Sequence, residues 1–276
     1  MKRNQMKNGR KYSSRKRSSR FFLCILLVAA VVIGWSVGDM MEARADGLIS
    51  FPGFSERSAE EKIRDFAEKN DLSIDQWPKE LVEMLENNPE TESFVLEYPL
   101  KKDDEPTIDL SEYENTYQIP LLFQWDQRWG YETYCGEVMG LSGCGPTCLS
   151  MVCIYLKNNG AYDPKYIARF SEEHGYAVEG SGSSWELISE GGRELGIDVI
   201  EIPLDENRII ENLKVHNPII CIMGPGDFTT TGHFIVLTDY KEGKICVHDP
   251  NSKARSEKGW YFDDIKNQIR NLWVCR

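Results

Sequence analysis

The spacing of hydrophobic residues changes several times along the chain, and each change predicts a different element. Residues 21–38 (FFLCILLVAAVVIGWSVG) are apolar or small throughout, which suits either a membrane-spanning helix of about 20 residues or the core of a secretion signal. Ser58 and Glu61 have the spacing of a helix capping box and precede apolar residues at helical intervals. Pro78 opens a second short helix, and residues 101–114 form a charged linker.

Helical patterns also begin the second half of the chain. Residues 143–160 (GCGPTCLSMVCIYLKNNG) predict a buried amphipathic helix with Cys144 at its N-terminal edge. Asp163, which is followed by proline, predicts the start of another helix. Residues 183–186 (SSWE) have the form of a capping box for a third helix, which ends at Gly196.

Short apolar runs rich in β-branched residues follow these helices and predict strands. The runs are DVIEI (198–202), PIICIM (218–223), HFIVLTDY (233–240), KICVHD (244–249) and LWVCR (272–276). Because the helices come first and the strands follow, the order favours an α+β fold in which N-terminal helices pack on one side of an antiparallel sheet.

Charge divides the chain sharply, although its formal net charge is only −12. Residues 1–20 hold nine basic residues and no acidic residue, whereas every Asp and Glu lies after residue 38. An acidic main body repels phosphates, so the charge pattern excludes a nucleic-acid-binding protein. The content of 41% hydrophobic and 11% aromatic residues also excludes a largely disordered chain.

Four regions are predicted from these patterns. Residues 1–20 form a basic cytoplasmic tail, residues 21–38 a transmembrane or signal segment, residues 39–115 an acidic helical stalk or extension that packs on the main domain and has no chemistry of its own, and residues 116–276 the main domain. The basic flank stays in the cytoplasm and places the main domain outside it. The small-x-small sequence ending at Ala45 has the form of a cleavage site, so a single-pass membrane protein and a secreted protein both stay open.

Seven cysteines lie outside the apolar segment: Cys135, Cys144, Cys148, Cys153, Cys221, Cys246 and Cys275. An odd number leaves at least one of them unpaired. Their spacing contains no C-x-x-C pair, and no histidine is placed to complete a zinc site, so we expect no metal. No organic cofactor is implied. Most of these cysteines are expected to be small buried hydrophobic residues.

Cys144 differs from the others because of its place in the predicted helix. A cysteine at a helix N-terminus has free backbone N–H groups and the positive end of the dipole beside it, which lowers its pKa and favours the nucleophilic thiolate. Gly143 and Gly145 let a substrate backbone approach closely, and their amides can point at a developing oxyanion. The pattern suggests a nucleophile, with a structural cysteine as the alternative.

A thiolate needs a base, and the chain has four histidines. His174 and His216 lie at helix ends, where a cation complements the dipole, so we favour a structural role for both. His233 begins one predicted strand and His248 ends the next. The turn between these two strands decides which of the two histidines faces the candidate nucleophile.

Residues 241–243 (KEG) form that turn. A three-residue loop with a left-handed glycine places Asp249 on the same face as His233, within diagonal reach. A two-residue Glu-Gly turn instead puts His248 on that face and turns Asp249 away. We favour the three-residue loop because it combines a nucleophile, Cys144, with a base and an orienting carboxylate.

Three motifs, GCGPTCLSMV, TGHFIVLTDY and HDPNS, together resemble the papain-fold cysteine peptidases of family 39, the bacteriocin-processing type. The chain is more similar to their stand-alone C39-like bacterial relatives, which often carry an N-terminal membrane segment and PLLFQWDQRWG ahead of the cysteine. The resemblance covers about residues 116–276. Since the sequence has no phosphate-binding loop of the G-x-x-x-x-G-K-S/T type, we do not expect the ATP-driven exporter to which bacteriocin-processing members are fused.

The resemblance implies an extracytoplasmic cysteine peptidase that acts on peptide or protein substrates through a thioester. It implies Cys144 as nucleophile, His233 as general base, Asp249 as orienting acid and Gln124 as the oxyanion-hole glutamine. A side-chain amide in the loop QWDQRW could donate to an oxyanion as backbone amides do. Two alternatives stay open, a cell-wall amidase or acyl transferase on the same fold and a non-catalytic peptide-binding module.

Overall fold

The computed structural model describes residues 57–276, and its first helix begins at the predicted capping box. At the start of α1 (Ala59–Lys69), the hydroxyl of Ser58 accepts from the backbone N–H of Glu61, whose carboxylate accepts in return from the N–H of Ser58. The predicted second helix is α2 (Lys79–Asn87). Both predictions are confirmed.

The sequence pattern does not predict a third helix, α3 (Glu92–Lys101), because Pro99 lies inside it and proline usually ends a helical pattern. Phe94 of this helix stacks on Tyr131, with ring centroids 4.5 Å apart, and both rings lie in the apolar cluster that includes α1 and α2. The hydroxyl of Tyr131 donates to the carbonyl of Phe94 at 2.8 Å. Helices α1–α3 therefore pack against the main domain, within one unit that spans residues 58–276.

Several predictions fall on residues that precede the described part of the chain. These are the basic tail (1–20), the apolar segment (21–38) and the cleavage site after Ala45, and they stay predictions. Within residues 57–276, no helix is both long enough and apolar enough to cross a membrane.

The predicted main helix follows a short hairpin and one helical turn. The elements in order are β1 (Thr133–Tyr134), β2 (Glu137–Val138), α4 (Met139–Ser142), α5 (Cys144–Lys157) and α6 (Pro164–Glu173). Helix α5 ends at Asn158, which has the left-handed backbone conformation of a helix C-cap. Asp163 caps α6 by accepting from the N–H of Tyr166 at 2.8 Å. The predictions for both helices are confirmed.

The capping box predicted at residues 183–186 does not form. Ser183 lies in β4 (Gly182–Ser183), which pairs with β3 (Ala177–Val178), and its hydroxyl lies 2.6 Å from that of Tyr134. Helical structure follows at a π-helical turn, Leu187–Gly191, which continues into α7, Gly192–Glu194.

Five strands form one antiparallel sheet in the order β5-β9-β6-β7-β8. Their bounds lie close to the predicted ranges: β5 (Val199–Glu201), β6 (Ile219–Met223), β7 (His233–Lys241), β8 (Lys244–His248) and β9 (Ile269–Cys275). Alternate residues of β6 face opposite sides, since Ile220 and Ile222 join the cluster around α5 while Ile219 and Met223 join a second cluster. The predicted α+β class is confirmed.

The second face of the sheet carries a helix that the sequence pattern does not predict. Helix α8 (Glu206–Lys214) buries Ile209 and Leu213 in the second cluster. Two short helices, α9 (Lys253–Glu257) and α10 (Phe262–Ile265), lie between β8 and β9 in the chain. Helices therefore cover both faces of the sheet, in addition to the predicted packing on one side.

The turn between β7 and β8 differs from the favoured prediction. Lys241 pairs with Lys244, so the loop holds only Glu242 and Gly243, whose backbone angles φ are 52° and 78°. Two left-handed residues between antiparallel strands form the tight two-residue hairpin turn. The prediction of a three-residue loop is therefore wrong.

A bulge in β7 nevertheless restores the register that the longer loop predicts. Thr238 is an extra residue in the ladder and shifts the pairing by one position. Beyond it, Val236 pairs with His248, so the next residue, Asp249, shares a face with His233. The shorter turn and the bulge each shift the strand register by one residue, and the two shifts cancel.

Candidate active site

A cleft of about 610 Å³ opens between the N-terminus of α5 and the start of β7. Three of the four predicted site residues line it: Gln124, Cys144 and His233. One wall consists of residues 180–183 with Trp185, and residues between 228 and 232 form another wall. The fourth predicted residue, Asp249, contacts His233 and is fully buried. The structure brings the four residues together.

Cys144 is the first residue of α5 and is partly exposed to the cleft. Burial raises the pKa of its thiol, but the hydrogen bond and charge of His233 and the backbone N–H groups of Phe234 and Gly145 outweigh burial, so the pKa lies below its ordinary value. Cys148, one turn further along the helix, is buried and has its pKa raised well above the ordinary value. Of these two cysteines, only Cys144 lies in an environment that favours the thiolate.

The start of α5 fits against β4 only because residue 145 is glycine. A Cβ atom on Gly145 would lie 2.3 Å from Ser183 Oγ and 2.7 Å from Ser183 Cβ. Ser183 is itself held by the hydroxyl of Tyr134 at 2.6 Å. This close approach sets the N-terminus of the helix beside the cleft wall formed by residues 180–183.

His233 connects the thiol to the buried carboxylate. Its Nε2 lies 2.8 Å from Asp249 Oδ1, and because a carboxylate only accepts, Nε2 donates here. The other ring nitrogen, Nδ1, is left for Cys144. Burial lowers the pKa of the imidazole, but the charge and hydrogen bond of Asp249 and the contact with Cys144 outweigh it and raise the pKa to about 10. The two pKa shifts have opposite directions, and both favour a thiolate paired with an imidazolium.

The carboxylate of Asp249 has three hydrogen-bond donors. Besides His233, its Oδ1 accepts from the backbone N–H of Asn251 at 2.8 Å, and its Oδ2 accepts from Nε of Arg255 at 2.5 Å. Burial opposes ionisation, but His233 first and Arg255 second outweigh it and hold the pKa of Asp249 below its ordinary value. Asp249 is therefore ionised and fixed in orientation.

Arg255 is the residue of this site that sequence reasoning missed. It lies in α9, where the hydroxyl of Ser252 caps the helix by accepting from the N–H of Arg255 at 3.2 Å. A serine in the turn-forming sequence DPNS is the signal that could have revealed this short helix. Nothing in the spacing shows that the guanidinium reaches back to Asp249.

Gln124 is 3% exposed, and its side-chain amide donates to the carbonyl of Gly140 at 2.7 Å and to that of Leu141 at 3.2 Å. The reverse orientation would set its own carbonyl oxygen against these two acceptors, so the two donations fix the amide. Its Oε1 is buried without a hydrogen-bond partner. The backbone N–H of Gln124 donates to the carbonyl of Pro250 at 2.8 Å, which ties this loop to the residue after Asp249.

The other histidines have different partners. His174 Nδ1 lies 2.9 Å from the carbonyl of Phe170, and His248 Nδ1 lies 3.0 Å from the carbonyl of Pro120. Neither lines the cleft that holds His233. In the described part of the chain, no three His, Cys, Asp or Glu side chains are arranged to hold a metal ion, and the seven cysteines there form no disulfide.

A helix with cysteine at its N-terminus, packed on an antiparallel sheet whose strand begins with histidine, defines a papain-like α+β fold. Residues 116–275 match the family model described as the Peptidase_C39 like family. This match covers more than half of the 276 residues, and the chain belongs to that family. Membership supports a peptidase-type function.

Two solved structures are similar to parts of the chain. The peptidase domain of Streptococcus ComA, a bifunctional ABC transporter involved in a quorum-sensing pathway, is 18% identical, with a TM-score of 0.38 over 48% of this chain and 89% of that chain. A protein described as a C39-like peptidase from Bacillus anthracis is 14% identical, with a TM-score of 0.37 over 58% of this chain and 96% of that chain. A search of curated protein sequences found no match. The family assignment rests on the family model alone.

Proposed function

We propose that this protein is an extracytoplasmic cysteine peptidase that hydrolyses peptide bonds with Cys144, His233, Asp249 and Gln124. One observation carries the proposal: Cys144 and His233 line the same open cleft, and the Nε2 of His233 lies 2.8 Å from the buried carboxylate of Asp249. The basic tail and apolar segment in residues 1–38 support an extracytoplasmic location, with the chain anchored in the membrane or cleaved after Ala45.

The thiolate and imidazolium of the resting pair supply the nucleophile and the acid. The Cys144 thiolate attacks an amide carbonyl, and His233 gives its Nδ1 proton to the leaving amine, which leaves a thioester on Cys144. His233 then takes a proton from water, the water oxygen attacks the thioester carbonyl, and collapse of the tetrahedral intermediate breaks the C–S bond, which releases the acid product and restores the Cys144 thiolate beside the His233 imidazolium. Asp249 keeps the imidazole in place and stabilises its charge throughout.

The oxyanion of each tetrahedral intermediate needs hydrogen-bond donors that are already in position. The backbone N–H of Cys144 is one, and the side-chain amide of Gln124 is the other. One N–H of this amide binds Gly140 at 2.7 Å, whereas the contact with Leu141 is longer, at 3.2 Å. Donation to the oxyanion therefore requires the amide to give up its longer contact, with the carbonyl of Leu141.

Cysteine labelling by pH tests the proposal on the full chain. At about pH 6, where ordinary thiols are protonated, an alkylating probe is expected to modify Cys144 rapidly, because its pKa is lowered while His233 stays charged up to a pKa of about 10. Cys246 is the internal control, since it is also partly exposed but burial raises its pKa. Labelling of Cys144 is expected to stop only when the pH falls through its lowered pKa. Mass spectrometry of the labelled peptides measures both rates.

A mixed peptide library incubated with the same protein tests turnover. Cleaved products support the peptidase. Labelling of Cys144 without cleavage of any peptide contradicts it and favours the amidase or acyl transferase. Equal, slow labelling of Cys144 and Cys246 at this pH contradicts an activated thiol and favours the peptide-binding module.

Gln124→Ala is expected to lower kcat/KM roughly a hundredfold, because one oxyanion donor contributes about 3 kcal/mol. Gln127→Ala is the matched control in the same loop, since its amide binds Ser93 and Glu97 away from the cleft. The control is expected to keep the wild-type kcat/KM, measured on the same cleaved peptide. A Gln124→Ala protein as active as Gln127→Ala would remove Gln124 from the mechanism.

A further inference from the structure

The turn between α2 and α3 contacts the segment that follows Asp249. The side chain of Asn88 donates from Nδ2 to the carbonyl of Asn251 at 2.6 Å. Two residues later, the carboxylate of Glu90 accepts from the backbone N–H groups of Lys253 at 2.6 Å and Ala254 at 2.9 Å. These last two contacts join positions 163 and 164 residues apart in the chain.

Glu90 acts as an external cap for α9. The first backbone N–H groups of a helix have no partners within it, and a carboxylate placed there supplies acceptors and complements the helix dipole. The hydroxyl of Ser252 donates to Glu90 Oε1 at 3.2 Å while it accepts from the N–H of Arg255 at 3.2 Å. The start of α9 is therefore held from outside residues 116–276.

Helix α9 in turn holds Asp249 at both its side chain and its backbone. Arg255 donates from Nε to Asp249 Oδ2 at 2.5 Å, and Ser256 Oγ accepts from the backbone N–H of Asp249 at 2.8 Å. Asp249 Oδ1 accepts from His233 at 2.8 Å. A displacement of the start of α9 would therefore move the carboxylate that orients the imidazole.

We propose that Glu90, in the turn between α2 and α3, is a positioning residue for the catalytic triad. Glu90 does not line the cleft and touches no reacting atom; it acts through α9 and Arg255 on Asp249. The inference rests on the proposed function, because it assigns Asp249 the role of orienting His233. It replaces the expectation that residues 39–115 are a stalk without chemistry.

Glu86 provides a matched control four residues before Glu90. Its Oε2 accepts from the backbone N–H of Ala59 at 2.9 Å, at the start of α1. It thus caps a helix in the same way, but the capped helix is α1 and not α9. Glu86→Ala removes a carboxylate cap from α1–α3 and leaves every contact of α9 in place.

The experiment compares full-length Glu90→Ala, Glu90→Gln and Glu86→Ala with the wild type for kcat, KM and the rate of Cys144 alkylation at about pH 6. In Glu90→Ala, kcat is expected to fall about tenfold. A loss of this size is typical when a residue that orients a functional side chain, without contacting the substrate, is removed. KM is expected to stay within about twofold, because substrate does not reach Glu90. Glu90→Gln keeps one acceptor oxygen and recovers part of kcat, and Glu86→Ala keeps all of it.

A double variant tests the route through α9. Arg255→Ala removes the side chain that links α9 to the carboxylate of Asp249, so adding Glu90→Ala in this background is expected to cost far less than it costs in the wild type. If Glu90→Ala lowers kcat by the same factor in the Arg255→Ala background as in the wild type, the proposed route through Arg255 is wrong. Thermal unfolding of all the variants shows whether a lost kcat reflects a lost fold.

The outcomes separate this inference from the function on which it rests. Wild-type kcat in Glu90→Ala, or equal losses of kcat in Glu90→Ala and Glu86→Ala, overturns the positioning role while leaving the peptidase intact. A wild-type protein that shows neither Cys144 alkylation at this pH nor turnover overturns both proposals. A loss confined to kcat of the Glu90 variants, with slower Cys144 alkylation, supports the positioning role.

Discussion

Replacing Cys144 with alanine is expected to lower kcat by at least about 10⁴-fold, because Cys144 is the one cysteine among the described residues that line the cleft. The base and the buried acid stay in place, but without a sulfur atom they have no nucleophile to activate. KM is expected to change little, since alanine removes one atom from the cleft floor and leaves its walls unchanged. Cleavage of a library-derived peptide by the purified full chain measures both constants.

Cys148→Ala is the control for this prediction. Cys148 lies four residues later on the same helix, is fully buried and has its pKa raised, so it is a structural residue. Its replacement is expected to leave kcat unchanged and to lower the free energy of unfolding by about 1 kcal/mol. A Cys144→Ala protein that cleaves as fast as Cys148→Ala would refute the thioester mechanism.

Asp249→Asn is expected to lower kcat by about 10³-fold or more, comparable to the same charge removal in a Ser-His-Asp peptidase. Asp249 accepts from three donors, namely His233, Asn251 and Arg255, and an asparagine has only one acceptor oxygen for them. The imidazole loses its stabilising charge, and Arg255 loses its carboxylate. Single-turnover acylation and steady-state kcat measure the loss.

The same substitution has a pH consequence whose sign follows from the charges. The Asp249 carboxylate raises the pKa of His233, and the imidazolium lowers the pKa of Cys144. Removing the carboxylate therefore lowers the first pKa and raises the second, so alkylation of Cys144 at about pH 6 is expected to slow. Asp239→Asn is the control on the same hairpin, because Asp239 pairs with Lys241 at 2.7 Å and does not contact His233. Equal alkylation rates in the two variants would count against Asp249.

Elements built from neighbouring residues could be predicted because their signals are local. The capping box at Ser58 and the helix that starts at Cys144 each depend on contacts within one or two turns. Helix α3 could not be predicted because Pro99 interrupts its pattern, whereas in the structure Phe94 of this helix is buried and stacks on Tyr131. Packing, and not helix propensity, stabilises that segment.

The sequence predicts each residue of the candidate site, but it does not predict the strand pairing that brings His233 and Asp249 to the same face. The two-residue turn at Gly243 alone would separate Asp249 from His233, and the bulge at Thr238 brings them back to one face. A bulge depends on the ladder that the neighbouring strand presents, and no residue type marks it in the sequence. His233 and Asp249 share a face because of the bulge and not because of the length of the turn.

Residue patterns alone were enough for the family resemblance, the α+β class and the helix that places Cys144 at its N-terminus, since motifs, periodicity and caps act over short stretches of chain. Tertiary structure alone decided how Asp249 is held. Its support from Arg255, and that of α9 from Glu90, join surfaces that are distant in the chain and meet only when the domain is packed. Such contacts carry no periodic signal, because their energy depends on the approach of whole elements and not on the spacing of neighbouring residues.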